Sequence, residues 1–279
     1  MKIRFDDDKR RTISIVLFCI SAVCITIMIV HSVRKKSEYE KGNAIYAGVR
    51  DNAILYEVNL NNSISASEND VNVSSDPRSG WLYDADGQNA YYMHIESEKL
   101  ASLNPQYTAW IYGCGGEINY PIVQSEPDDE KFYLKHDFYG NYDVLGCLYV
   151  KPLTEPFIQS DTTIYGHNMR TGDSMFHCLV NYKEESYFLQ YPTIYIFTDE
   201  GDRKYEIFSA YNMTVVDLNY YQNLAQNKTK AEYLEELKAR SLYDTGVEVS
   251  EDDVILTLVA CEYSEWDSRM IIHARCVEP

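Results

Sequence analysis

Residues 12–33 contain no Lys, Arg, Asp or Glu and consist mainly of Ile, Val, Leu, Phe, Met and Ala. A helix that crosses a membrane needs about 20 such residues, so the run predicts one span. A buried core helix is the competing reading; the length of the uncharged stretch and the basic clusters on both sides favour the membrane. Residues 37–60 keep a helix-compatible mix, with Ile45, Val49 and Ala53 recurring every four residues among Glu38, Glu40, Lys41, Arg50 and Asp51. Residues 61–80 are rich in Asn, Ser and Asp, close on Asp76-Pro77-Arg78-Ser79-Gly80 and predict a linker.

A short helix over 95–103, stopped by Asn104-Pro105, precedes a change of period. Short runs of β-branched and aromatic residues follow at 109–112, 120–124, 132–136, 146–150, 162–165, 193–198, 205–210, 254–260 and 270–277. Most are too short for helices and are separated by turn-rich segments such as Asp199-Glu200-Gly201-Asp202, so the fold class is all-β, a barrel or sandwich. One insertion breaks the pattern between Leu218 and Val249. There Thr229-Lys230-Ala231-Glu232 has the form of a capping box, predicting a helix through Arg240 that docks by Leu234 and Leu237.

Composition adds a core and a polarity. With 45% hydrophobic and 13% aromatic residues the chain can bury one sizeable core, which excludes a disordered chain or a disulfide miniprotein. Net charge is −18, yet residues 1–36 hold eight basic side chains against Asp6, Asp7 and Asp8, so this head is +5 and the rest of the chain −23. Such a body repels phosphate backbones, and no nucleic-acid partner is expected. Basic flanks tend to stay cytoplasmic, and no Ala-x-Ala-like cleavage site follows the run, so it reads as an uncleaved anchor with its N-terminus inside. Seven cysteines, two of them (Cys19 and Cys24) inside the apolar run, imply no complete disulfide framework. The 25 tyrosines suit a peptide groove, and suit half-buried barrel positions better.

For chemistry, Cys261 ends one apolar run and Arg269 opens the next, with seven residues between them. If the runs pair as an antiparallel hairpin, thiol and guanidinium lie opposite each other at the strand ends. A thiol of ordinary pKa is only a few per cent ionised at neutral pH and needs a neighbouring base or cation to become a nucleophile. On spacing alone a cysteine at a strand end reads first as a small core residue. Among the histidines, His273 lies about 13 Å along the strand from Arg269. His167 leaves a strand at Gly166 and enters the polar loop Asn168-Met169-Arg170-Thr171-Gly172, where catalytic groups are usually presented. His31 adjoins the membrane run, and His94, His136 and His177 read as structural or surface residues. No metal cluster and no phosphate-binding glycine loop is visible, so no cofactor is expected.

Several separated motifs then occur together. Leu103-Asn104-Pro105 through Trp110-Ile111, Tyr120-Pro121-Ile122-Val123-Gln124, Tyr133-Leu134-Lys135-His136-Asp137-Phe138-Tyr139-Gly140, Thr163-Ile164-Tyr165-Gly166-His167-Asn168-Met169, and Leu256-Thr257-Leu258-Val259-Ala260-Cys261 followed by Arg269 resemble, in this order, the class B sortases of Gram-positive bacteria. The resemblance implies an eight-stranded β-barrel with N-terminal helices and a helical insertion before the Cys strand, outside the membrane. It implies a cysteine transpeptidase that cuts a C-terminal sorting signal of secreted proteins after Thr, holds the acyl group as a thioester and passes it to a peptidoglycan-precursor or pilin amine. In that scheme Cys261 is the nucleophile, His167 the acid and base, and Arg269 the oxyanion or substrate-positioning cation, with Tyr165 and Glu262 lining the substrate groove. The usual family string before the nucleophile carries hydroxyl residues where this chain has Val259-Ala260, which bears on substrate recognition. On this reading the chain divides into a cytoplasmic N-terminus (1–11), a membrane anchor (12–33), an extracellular helix and linker (34–80) and a catalytic domain (81–279). A cysteine endopeptidase that resolves the thioester with water, or a non-catalytic surface scaffold, are the alternatives.

Overall fold

The computed structural model describes residues 7–59, 81–83, 90–153, 155–157, 161–169, 172–214, 228–262 and 268–278. The chain divides into two compact units, Met1–Lys41 and Gly42–Pro279. Helix α1 runs Asp7–Ala53. Its uncharged part leaves Phe18, Ile20, Val23 and Ile27 exposed, the mark of a helix with no protein core around it. Within the second unit the same helix buries Tyr46, Val49 and Ala53, three to four residues apart on one face.

The helix stops earlier than its composition suggests. Residues of the expected 37–60 helix beyond Ala53 form strand β1, Ile54–Asn59, which pairs with β3, Ala90–Ile95; β2, Trp81–Tyr83, lies on the other side of β3. The string Ile-Leu-Tyr-Glu-Val-Asn has β-branched and aromatic residues that accept either state, and the β3 partner decides for the strand. The expected linker over 61–80 lies outside the described residues. Helix α2, Ser97–Leu103, follows and buries Leu100.

The barrel strands are β4 Tyr107–Gly113, β5 Ile118–Gln124, β6 Leu148–Val150, β7 Thr162–Gly166, β8 Thr193–Thr198, β9 Gly201–Thr214, β10 Ile255–Glu262 and β11 Ser268–Glu278. They close in the order β10-β11-β9-β8-β4-β5-β6-β7, with β7 and β10 parallel. This is the eight-stranded closed barrel expected. Trp110, Ile122, Leu148, Ile164, Ile196 and Leu258 are buried to within a per cent of completely, so the interior is a packed core and not a pore.

Residues 132–136, expected as a strand, instead make a 3-10 turn, Phe132–Leu134, with Leu134 N donating to Lys131 O and Lys135 N to Phe132 O. Tyr133 is buried between half-buried Phe132 and Leu134, so burial alternates as it would in a strand although the backbone turns. Past β7 come a 3-10 segment, His177–Lys183, and helix α3, Glu185–Gln190. The inserted helix α4, Lys230–Ala239, has its capping box formed: the Thr229 side chain accepts from Glu232 N, and the Glu232 carboxylate accepts from Thr229 N. Leu234 and Leu237 pack with Phe208 and Ile255, anchoring α4 on the barrel; such side chains contribute about 2 kcal/mol each on burial.

Candidate active site

Three neighbouring strands bring the expected residues into one row. β10 pairs antiparallel with β11 in a register that sets Cys261 opposite Arg269 and Glu262 opposite Ser268. On its other side β10 pairs parallel with β7, Val259 with Tyr165 and Ala260 with Gly166. One step further stand Cys261, still on β10, and His167, the first residue past β7. Paired strands lie about 4.8 Å apart, so the Cys261 backbone position is flanked by His167 on one side and Arg269 on the other.

Beside the row, on the same face of the sheet, lies an apolar patch. Val259, Ile271, Tyr211 and Met213 form a buried cluster against which Tyr165 packs, and Met213 is the strand partner of Arg269. Tyr165 itself is half-buried, stacked on Tyr149 at 5.4 Å with Lys151 Nζ 5.9 Å from its ring. Ala260 is wholly buried, so an expected hydroxyl there would point into the barrel core.

His167 is held by its own loop and by a main-chain group. The loop folds back so that Phe176 N donates to His167 O at 2.9 Å and Asn168 bridges Met175. On the ring, Nε2 lies 2.7 Å from Leu134 O. A carbonyl can only accept, so Nε2 carries the proton and a neutral ring keeps Nδ1 as an acceptor. Burial lowers the imidazole pKa below its ordinary 6.5; the Leu134 bond opposes that shift and the Arg269 cation adds to it. His167 and Arg269 therefore lie within electrostatic reach of each other, as the strand register requires. No sequence pattern points to Leu134, because the group that acts is a backbone carbonyl in a segment that reads as a strand.

Three other histidines have partners of their own. His273 is buried, with Nδ1 2.9 Å from Thr257 Oγ1 and Nε2 2.9 Å from Tyr211 OH. His136 stacks on Phe132, and His177 Nδ1 lies 3.0 Å from Asn168 Oδ1. Cys114, Cys147 and Cys178 are buried, and burial raises Cys147 to about 12, the reverse of what a nucleophile needs. A cavity of about 670 Å³, lined by Gln106, Thr108, Gln124, Glu126 and Leu153 among others, sits where β4 starts and β5 and β6 end. Since β6 runs antiparallel to β7, this is the opposite end of the barrel from His167.

No family profile matches the chain. It is 33% identical over 187 residues to sortase B of Listeria monocytogenes, covering 65% of this chain and 74% of that protein. Among solved structures, Clostridium perfringens sortase B aligns with a TM-score of 0.58 and 30% identity over 65% of this chain and 99% of that one. A Staphylococcus aureus sortase B–substrate complex aligns with a TM-score of 0.57 and 26% identity, over 65% and 84% of the two chains.

Proposed function

The chain belongs to the sortase B family of cysteine transpeptidases, and on that premise we propose that it is a membrane-anchored enzyme with Cys261 as nucleophile, His167 as acid and base, and Arg269 as the cation that holds the scissile carbonyl oxygen. The observation that carries the assignment is the row His167, Cys261, Arg269 across β7, β10 and β11. Its substrates are secreted proteins with a C-terminal sorting signal, bound along Tyr165 and Glu262, and its acceptor is a peptidoglycan-precursor or pilin amine.

The chemistry follows from the groups. The Cys261 thiol gives its proton to Nδ1 of neutral His167, and sulfur attacks the carbonyl carbon of the signal's Thr. Arg269 donates hydrogen bonds to the developing oxyanion. The C–N bond breaks as the imidazolium returns the proton to the leaving amine, and a thioester remains on Cys261. An incoming amine then attacks the thioester, passes a proton through His167, and the C–S bond breaks to restore the thiol. The apolar cluster of Val259, Ile271, Tyr211 and Met213 beside the row limits water on that face, which favours the amine over hydrolysis.

The anchor is the part of α1 that is long and apolar enough to cross a membrane. Basic residues before it support an N-terminus inside and a barrel at the cell surface. The domains are then 1–11 inside, 12–33 in the membrane, 34–80 as extracellular helix and linker and 81–279 catalytic. Incubating residues 37–279 with a panel of sorting-signal peptides, with and without amines, tests the proposal: an acyl-enzyme mass on the Cys261 peptide and amine-dependent product are expected. Free acid as sole product at every amine concentration would replace transpeptidation by hydrolysis, and no adduct on Cys261 would remove the assignment.

A further inference from the structure

His167 keeps its orientation through the Leu134 carbonyl, and that carbonyl is set by the segment lying against it. Asp143 N donates to Lys135 O and Cys147 N to Tyr133 O, both at 2.9 Å, so residues 143–147 run beside the Phe132–Leu134 turn. Between those two bonds Gly146 adopts φ +61°, and a Cβ there would stand 2.5 Å from Tyr133 O and 2.9 Å from Leu134 O. Both distances are shorter than side-chain carbons tolerate against backbone. The Gly146 carbonyl in turn accepts a hydrogen bond, 2.5 Å long, from the hydroxyl of Tyr46, a wholly buried residue of α1.

We propose that Gly146 and Tyr46 are positioning residues for the reaction: they fix the Leu134 carbonyl that holds His167 as its Nε2–H tautomer, with Nδ1 turned free to exchange protons. Tyr46 locates the Gly146 peptide, and the bare Cα of Gly146 lets that peptide close on the Leu134 carbonyl. A carbonyl pushed aside by a new methyl releases Nε2, and the ring loses both its preferred tautomer and its direction. A displacement of about 1 Å at such a group is enough for losses on the order of 100-fold. The inference rests on His167 being the acid and base.

The test uses the full chain in detergent micelles with 15N-labelled histidine. Long-range 1H–15N spectra report the tautomer of His167, assigned by its absence in His167→Ala, and acylation of a sorting-signal peptide is followed in parallel. In Gly146→Ala the His167 signals are expected to move from Nε2–H toward a tautomer mixture. The acylation rate constant should fall by about tenfold or more with KM for the peptide little changed. Because the Leu134 bond raises the His167 pKa, its loss should also move the acid limb of the pH profile to lower pH. Tyr46→Phe adds no atom and should produce the same changes in smaller measure, so it decides the matter if Gly146→Ala does not fold. Gly140→Ala is the control for backbone strain alone: φ there is +79°, yet nothing lies within 4 Å of the new methyl. It should leave the tautomer unchanged.

An unchanged His167 signature in folded Gly146→Ala and Tyr46→Phe overturns the proposal, whether or not activity falls. Full activity in His167→Ala would instead defeat the acid and base reading of His167, and is read separately.

Discussion

Acid should destabilise the barrel through His273. The ring lies between β9, β10 and β11, bonded to Thr257 and Tyr211 and stacked on Phe208, and complete burial pushes its pKa from 6.5 down to about 3. In the unfolded chain the same residue titrates normally. Between these values the unfolded state takes up a proton that the folded state refuses, so stability is fully present above about pH 6.5 and is lost as pH falls toward 3. At pH 5 the group is 1.5 pH units below its unfolded value, and at 1.36 kcal/mol per unit the loss is about 2 kcal/mol. No discount for solvent screening applies to a ring this buried. Urea unfolding of wild type and His273→Gln at pH 7 and pH 5 isolates the term, because every carboxylate, and His167 too, titrates in both proteins. Wild type should lose about 2 kcal/mol more than the variant between the two pH values. Equal losses would mean that His273 is solvated or charged in the folded protein, and the account of it as a buried neutral bridge would be wrong.

The other expectations concern the row and its supports. Cys261→Ala should abolish thioester formation while Cys147→Ala retains it, as read by intact-protein mass after incubation with peptide; trapping on any other cysteine would move the nucleophile. His167→Ala should cost far more turnover than His273→Gln, both measured in folded protein, and comparable losses would undo the choice of base. Arg269→Lys keeps the charge without the planar fork, so it should lose most of what Arg269→Ala loses, on the order of 100-fold in acylation rate; near-wild-type acylation by the lysine variant would make Arg269 a source of field and not of directed hydrogen bonds. Leu237→Ala should destabilise by about 2–5 kcal/mol in urea unfolding, since α4 is moored by Leu234 and Leu237; less than 1 kcal/mol would mean α4 lies loosely on the barrel.

What could be read from the sequence was local in origin. The Cys261–Arg269 pairing follows from two apolar runs with a short polar connection, and α4 follows from its capping box, because in each case the partners are close in sequence. β1 was hidden because Ile54–Asn59 takes its state from β3, across residues that carry no trace of the pairing. The turn at Phe132–Leu134 was hidden because its burial alternates like a strand. Least visible was Leu134, whose contribution is a carbonyl that every residue type possesses. The nearness of His167 and Cys261 came only through family likeness, since parallel strands joined by a long crossover leave no mark at either end.

The pairing of β7 with β10 joins residues farther apart in sequence than any other contact in the ring. The 3-10 segment, α3, β8, β9 and α4 all lie between those two strands in sequence, and long-range parallel pairing carries the heaviest loop-closure entropy. The proposed base and nucleophile stand just past that joint. Until β7 and β10 meet, the proposed nucleophile stands without its proposed base, so the site is completed by the same pairing that closes the ring.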